Sequence, residues 1–240
     1  MISKLSIEKL SREEVFFLEK NLQNESDALL EEYGVVDVLK DYGVPIIKGS
    51  KLLQVMCTRN IDIFLNTNQD LMQTWFDLCQ RFLQVRGIRR IHPINYYDYD
   101  RDSNYLEKEN KGFGYFISFD SLKSNKVVNS KEWDFEISIV NEVKEDDVDR
   151  LINNWDKMIN DEKREIILRI KMFISPISSE LKKLGKGKLK SVEIYKAVLA
   201  DNVKSIDEFI NWYRTREKNL EKLETFNNLV KTKQDKQDTK

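Results

Sequence analysis

The sequence predicts an α/β or α+β domain over residues 1–145, an all-helical domain over 146–230 and a polar tail over 231–240. Three observations predict it. Short runs with apolar residues at alternate positions occur before Glu142, as half-buried strands require. Beyond Glu142 apolar residues recur at helical spacing. Eight Gly and three Pro in 240 residues exclude a loop-dominated fold.

Each element has a local reason. Ser11 and Glu14 form a capping box, and Val15, Phe16, Leu18, Leu22 and Leu29 continue at helical spacing to Tyr33 and Gly34, where glycine stops the helix. A shorter helix spans 35–42 and ends at Gly43. Residues 45–48 read as a short strand running into Gly49-Ser50 and a turn of helix, and residues 61–65 as a strand apolar enough to be central. Leu71, Met72, Trp75, Leu78, Cys79 and Phe82 set an amphipathic helix over 69–85. Residues 89–94 form a third strand, which Pro93 confines to an edge. A polar loop over 96–111 follows, then strands over 113–119 and 133–140. In the last, Trp133, Phe135, Ile137 and Ile139 alternate with Asp134, Glu136 and Ser138, one face for the core and one for solvent or a cleft. Helices are predicted over 146–159, 161–174, 191–200 and 205–216, with a lysine- and glycine-rich loop at 182–188. The last ten residues, KTKQDKQDTK, hold nothing apolar and read as frayed.

Charge and composition exclude several functions. Forty basic residues against forty-one acidic ones give a net charge of −1, so no global field favours a dedicated nucleic-acid binder. Cys57 and Cys79 make no disulfide framework and no metal spacing. A single histidine, His92, leaves His-dependent triads and multi-His zinc sites without partners. The charged opening MISKLSIEKLSREE and the lack of an apolar run near ~18–20 residues point to a cytoplasmic protein without signal peptide or membrane span.

The most informative stretch is Lys48-Gly49-Ser50 followed by Asn60-Ile61-Asp62. Gly49 lets the backbone approach a ligand and Ser50 can donate to a phosphate oxygen. On the next strand Asn60 and Asp62 point one way, while Ile61 and Ile63 point the other. Glu136 can add a third oxygen from a neighbouring strand, which makes a hard-cation site in embryo. The same residues also have plainer readings. Ser50 serves equally as an N-cap, and Asp62 or Glu136 alone as the solvent face of a strand. Trp133 and Tyr115 read as packing rather than base-stacking platforms, and His92 as structural.

This ordered set resembles the nucleotidyltransferase fold superfamily related to DNA polymerase β, with its Gly-Ser, Asp-x-Asp and later third acid. CTRNIDIFL, GFGYFISF and WDFEISIV are similar to stretches of a little-characterised group of bacterial nucleotidyltransferase-like proteins. KREIILRIK and EIYKAVLADNVKSIDEFINWY resemble their helical region, so the likeness extends over roughly residues 45–215. The resemblance implies a mixed sheet, a helical bundle closing over the cleft, and transfer of a nucleoside monophosphate from an NTP, with ATP the first choice, to a hydroxyl of an unidentified acceptor. It implies Asp62 and Glu136 as catalytic carboxylates, magnesium (Mg2+) on Asp62, Glu136 and Asn60, and the triphosphate on Gly49, Ser50 and Lys171. Read from the residues alone, Lys171 belongs rather to a solvated helix face, and the 182–190 lysines read as an acceptor or RNA contact or a plain surface loop. Two departures stand out: Asn60 replaces the first aspartate and Glu136 the third. The alternative is therefore a degenerate member of the superfamily that serves as a nucleotide-binding or interaction module.

Overall fold

The computed structural model describes residues 4–88, 90–95, 115–123, 131–141 and 154–235. The loop predicted over 96–111, most of the 120–131 connection and the start of the 146–159 helix lie outside them. Among the described residues the strands are β1 (Val44–Lys48), β2 (Asn60–Asn66), β3 (Arg90–Asn95), β4 (Tyr115–Leu122) and β5 (Trp133–Val140). Five helices belong to the first 90 residues: α1 (Lys4–Glu8), α2 (Arg12–Tyr33), α3 (Val35–Lys40), α4 (Gly49–Leu52) and α5 (Leu71–Leu83). Five more follow the sheet: α6 (Asn154–Met158), α7 (Asp161–Lys183), α8 (Ser191–Leu199), α9 (Ile206–Arg216) and α10 (Leu220–Asp235). The architecture is a mixed α/β sheet with helices, plus a set of helices after it.

The described sheet runs β1-β2-β5-β4-β3. Its β2–β5 pair is parallel, and the β1–β2, β4–β5 and β3–β4 pairs are antiparallel. Alternation along the strands sorts their residues onto two faces. Ile61, Ile63 and Leu65 of β2 are fully buried, as are Trp133, Phe135, Ile137 and Ile139 of β5 and Ile117 of β4. Each such side chain contributes about 1.5–3 kcal/mol of burial. Helix α5 packs there through Leu78 and Phe82, with Phe82 against Phe119 and Phe119 stacked on Phe135 at centroid separations of 4.9 and 5.0 Å. Asp70 caps α5 by accepting the Gln73 N–H at 2.8 Å. The opposite face of the sheet carries Asn60, Asp62, Glu136 and Ser138, all half-buried. The expected edge position of Pro93 holds among the described residues, where β3 ends the sheet.

Contacts divide the chain into two compact units. One comprises Asn21–Gln54 and Arg59–Asn154, and so holds the sheet. The other comprises Met1–Lys20, Val55–Thr58 and Trp155–Lys240. The helical unit thus takes in an N-terminal stretch and a four-residue insert as well as the C-terminal helices, where the sequence suggests one cut near 145. Sequence spacing does not reveal such returns of the chain. The capping box at the start of α2 forms as expected, with Glu14 N–H on Ser11 Oγ at 3.1 Å and Ser11 N–H on Glu14 Oε2 at 2.7 Å.

Three predicted boundaries change. Helix α7 continues nine residues past 174, through Pro176 to Lys183. A proline inside a helix costs about 3 kcal/mol, but burial of Ile177 and Leu181 beyond it offsets that cost. Lys182 and Lys183 consequently belong to the helix rather than to the loop. Helix α10 was not predicted, because its apolar residues are few, and it carries the chain helically through Lys231–Asp235 instead of fraying there. Phe226 and Val230 anchor it. Its last turn is held by Lys233, only 8% exposed, whose Nζ donates to the Phe173 carbonyl at 3.1 Å and lies 5.3 Å from that residue's ring centroid.

Burial lowers the Lys233 pKa to about 8, below its ordinary value of 10.5. The folded state therefore disfavours the charged amine. The resulting penalty is complete below pH 8 and fades as pH rises toward 10.5. Thermal unfolding of wild type and Lys233→Met should show the variant gaining relative stability near pH 7 and losing that advantage by pH 10. A difference that does not change with pH contradicts the assigned burial.

Candidate functional site

Cross-strand register builds the polar face. Lys48 of β1 pairs with Asp62 of β2, and Asp62 with Glu136 of β5. Paired residues on adjacent strands lie about 4.8 Å apart and face the same side. One residue pair along, Asn60 stands opposite Asp134, and on the other side Phe64 stands opposite Ser138. The two candidate carboxylates are thus neighbours across a parallel strand pair, as a shared ligand requires. Asp134, on the same face and exposed, was not singled out from sequence, although the alternation of β5 contained it.

The Gly-Ser turn comes to this face at a point only glycine fits. Gly49 has φ of +66°, a left-handed conformation, and a Cβ placed on it would lie 2.6 Å from Asp62 Oδ2. Backbone and carboxylate are therefore in direct apposition. Ser50 follows in α4 and is half-buried. What fixes the turn is a residue that sequence reading passed over. Lys51 is 8% exposed, and its Nζ donates to Ser26 Oγ and Asp27 Oδ1, each at 2.6 Å, and to Gln23 Oε1 at 3.4 Å. Gln23 Nε2 returns a bond to the Lys51 carbonyl at 3.0 Å. A buried lysine needs such partners, and these four bonds tie α4 to α2 within the sheet unit. A signal existed in the sequence only as a lysine next to the turn, one of many.

Asn60 adopts a definite orientation. Its Nδ2 donates to Asp62 Oδ1 at 3.1 Å. That bond turns Oδ1 the other way, into a buried position with no hydrogen-bond partner among the described residues. An orphaned buried carbonyl oxygen usually signals a missing partner. Two carboxylates and an amide oxygen form an all-oxygen donor set, which suits a hard cation that keeps most of its waters. No group of three or more His, Cys, Asp or Glu arranged for a metal occurs among the described residues. Next to Asn60, Arg59 is held by Glu25 through Nη2 at 3.0 Å, and the Arg59 carbonyl accepts the Asp134 N–H at 3.0 Å.

Other expected residues fall elsewhere. Lys171 is no solvated helix residue: it is 2% exposed, and within the helical unit its Nζ donates to the Val55 carbonyl at 2.7 Å and the Tyr195 hydroxyl at 3.1 Å. A periodic pattern marks it as polar but cannot show that a carbonyl waits for it. The 182–190 segment is anchored, since Ser178 Oγ donates to the Leu189 carbonyl and accepts its N–H, and Lys186 pairs with Glu221. Tyr115 stacks on Trp75 at 5.0 Å and Trp133 is fully buried, so both pack as expected. Burial raises the Cys79 thiol to about 11, which removes it as a nucleophile near neutrality. His92 lies exposed on β3, opposite Ser118.

Gly49→Ala tests the turn. The left-handed backbone costs an L-residue about 1–2 kcal/mol, and the methyl must also displace Asp62. The variant should melt several degrees lower and lose divalent-cation binding at the acid face. Unchanged melting and unchanged cation affinity would contradict the close approach.

No family model and no curated protein matches the chain. Among solved structures it is similar to E. coli MS115-1 CdnC with ATP, at 12% identity and a TM-score of 0.43. The likeness covers 82% of this chain, and the chain spans only 65% of the length of that one.

Proposed function

We propose that the protein is a nucleotidyltransferase that moves a nucleoside monophosphate from an NTP, ATP first, onto a hydroxyl of an acceptor. One observation carries this reading: a left-handed glycine turn in van der Waals apposition to Asp62, with Glu136 in register on the adjoining parallel strand. A phosphate group brought to Gly49 meets backbone close enough to bind, and Ser50 adds a hydroxyl donor. Asp62, Glu136 and the Asn60 carbonyl would hold Mg2+, which supplies charge neutralisation on the phosphates when bound. In this reading Glu136 takes the proton from the acceptor hydroxyl while the hydroxyl oxygen bonds to the α-phosphorus and the bond to pyrophosphate breaks. Positioning does most of the work in such a transfer, so a well-fixed turn matters more than a strong base. Lys51 supplies that fixity.

A second reading is a nucleotide-binding module without turnover. The specific observation for it is the Asn60–Asp62 hydrogen bond, in which a neutral amide engages one oxygen of the carboxylate that a cation needs. The two readings share the site and differ in the chemistry done there.

Thermal unfolding against each NTP, with and without magnesium, tests both. At about 100 times its dissociation constant a ligand adds roughly 2.7 kcal/mol. In a chain of this size that raises Tm by roughly 5–11 °C. A magnesium-dependent shift is expected in wild type and its loss in Asp62→Ala; no shift with any nucleotide would falsify both readings. Release of pyrophosphate then separates enzyme from module.

Asn60→Asp should behave conditionally. With chelator present, a second carboxylate replaces the donor 3.1 Å from Asp62 Oδ1, so like charges meet and Tm falls. With magnesium the variant should recover and bind the cation more tightly than wild type, read by calorimetric titration. Equal affinity in the two proteins counts against Asn60 as a ligand.

A further inference from the structure

We infer that one end of the helical unit is a docking surface for an anionic lipid membrane, bound peripherally through two protruding leucines set among lysines. The inference does not use the nucleotide site. Helix α10 runs antiparallel to α7: Lys233, late in α10, bonds to the Phe173 carbonyl, while Lys186, just past the end of α7, pairs with Glu221 in the first turn of α10. The C-terminal end of α7 and the N-terminal end of α10 therefore form one tip. Leu184 is the C-cap of α7 and is 55% exposed. Leu220 opens α10 at 79%, the highest value of any large apolar side chain among the described residues. Single exposed leucines are ordinary on a protein surface. Two at one tip, each close in sequence to exposed lysines, make an apolar spot with a basic rim. The tip is also well fixed. The Lys186 N–H donates to the Leu181 carbonyl at 2.9 Å across Gly185, whose φ of +72° closes the helix with a glycine cap. Ser178 ties down Leu189 at the far end of the loop.

Charge at the tip complements an acidic surface. Residues 180–193 and 214–224 hold nine basic against five acidic side chains, and Asp201, which pairs with Arg216, is a sixth acid. The balance is three positive charges, in a chain whose net charge is −1. Part of the set is internally paired: Lys183 with Glu180, Lys186 with Glu221 and Lys222 with Glu217. Lys182, Lys188 and Lys218 are exposed and make no ion pair among the described residues. Lysine is a compact charge on a flexible apolar stem, suited to a diffuse layer of headgroups. The arginines here are committed, Arg216 to Asp201 and Arg214 to Asn211 and Asn227. A nucleic acid is the poorer match, since it would leave both leucines in water and meet neither arginine uncommitted. Apolar insertion or basic attraction alone holds a protein to a bilayer only marginally, and the two together make reversible attachment firm.

Cosedimentation of the full chain with vesicles tests this, using phosphatidylcholine alone and an equal mixture of phosphatidylcholine and phosphatidylserine. Wild type should bind the mixed vesicles about tenfold or more tightly than the neutral ones. Leu184→Ser combined with Leu220→Ser should weaken that binding about tenfold while leaving Tm unchanged, because neither side chain packs in the core. Lys182→Gln, Lys188→Gln and Lys218→Gln together should remove the preference for the acidic vesicles. Phe76→Ser, which changes an equally exposed apolar residue on α5, should bind as wild type does. Absence of wild-type binding to the mixed vesicles overturns the inference. So does binding that the leucine variants leave intact, which would make the contact one of charge alone, or that Phe76→Ser weakens as much as they do. Binding of a labelled oligouridylate without binding of vesicles assigns the lysines to nucleic acid and also overturns it.

Discussion

The parallel pairing of β2 with β5 is the constraint on which the polar face depends. Side chains alternate along a strand, so a slip of one residue would send Glu136 to the buried face and bring Phe135 or Ile137 beside Asp62. The fully apolar set on the other face forbids that slip. Burial of Trp133, Phe135, Ile137 and Ile139 therefore does two things at once, making the core and holding two acids at one level. Chemistry on one side of the sheet is thus specified by packing on the other.

A second level of support lies in the short α4 turn. Four residues of helix have little stability of their own, because nucleation is unfavourable. The bonds from Lys51 to Gln23, Ser26 and Asp27 supply what the turn lacks. They make the conformation of Gly49 a property of α2 as much as of the loop. Ser26 is fully buried and Asp27 is not, so this lysine is held by one solvated charge and one dry hydroxyl. That combination compensates the ammonium without the full desolvation cost of a buried ion pair.

Much of the fold was legible because its strands alternate cleanly and its helices start at marked caps. The capping boundary at Ser11 and the β5 faces follow from local rules that act within a few residues. What the sequence hid is non-local. The inward turn of Lys48 depends on Phe64 and Ser138, which belong to other strands, and the burial of Lys171 depends on a carbonyl at Val55. The continuation of α7 past Pro176 was hidden for a similar reason, since a local breaker was overruled by burial of Ile177 and Leu181. Helix α10 was missed because two anchors, Phe226 and Val230, suffice when packing rather than propensity decides.

Two of the three prolines lie in the strands that end the described sheet, Pro45 in β1 and Pro93 in β3. A strand at a sheet edge offers its outward amide groups to any other extended chain, and proline withholds one of them. Both rims are thereby poor templates for edge-to-edge growth. The consequence is colloidal as well as architectural: a chain that concentrates so many Ile, Phe and Trp residues in alternating strands carries, at each open border, a residue that discourages those strands from recruiting copies of themselves.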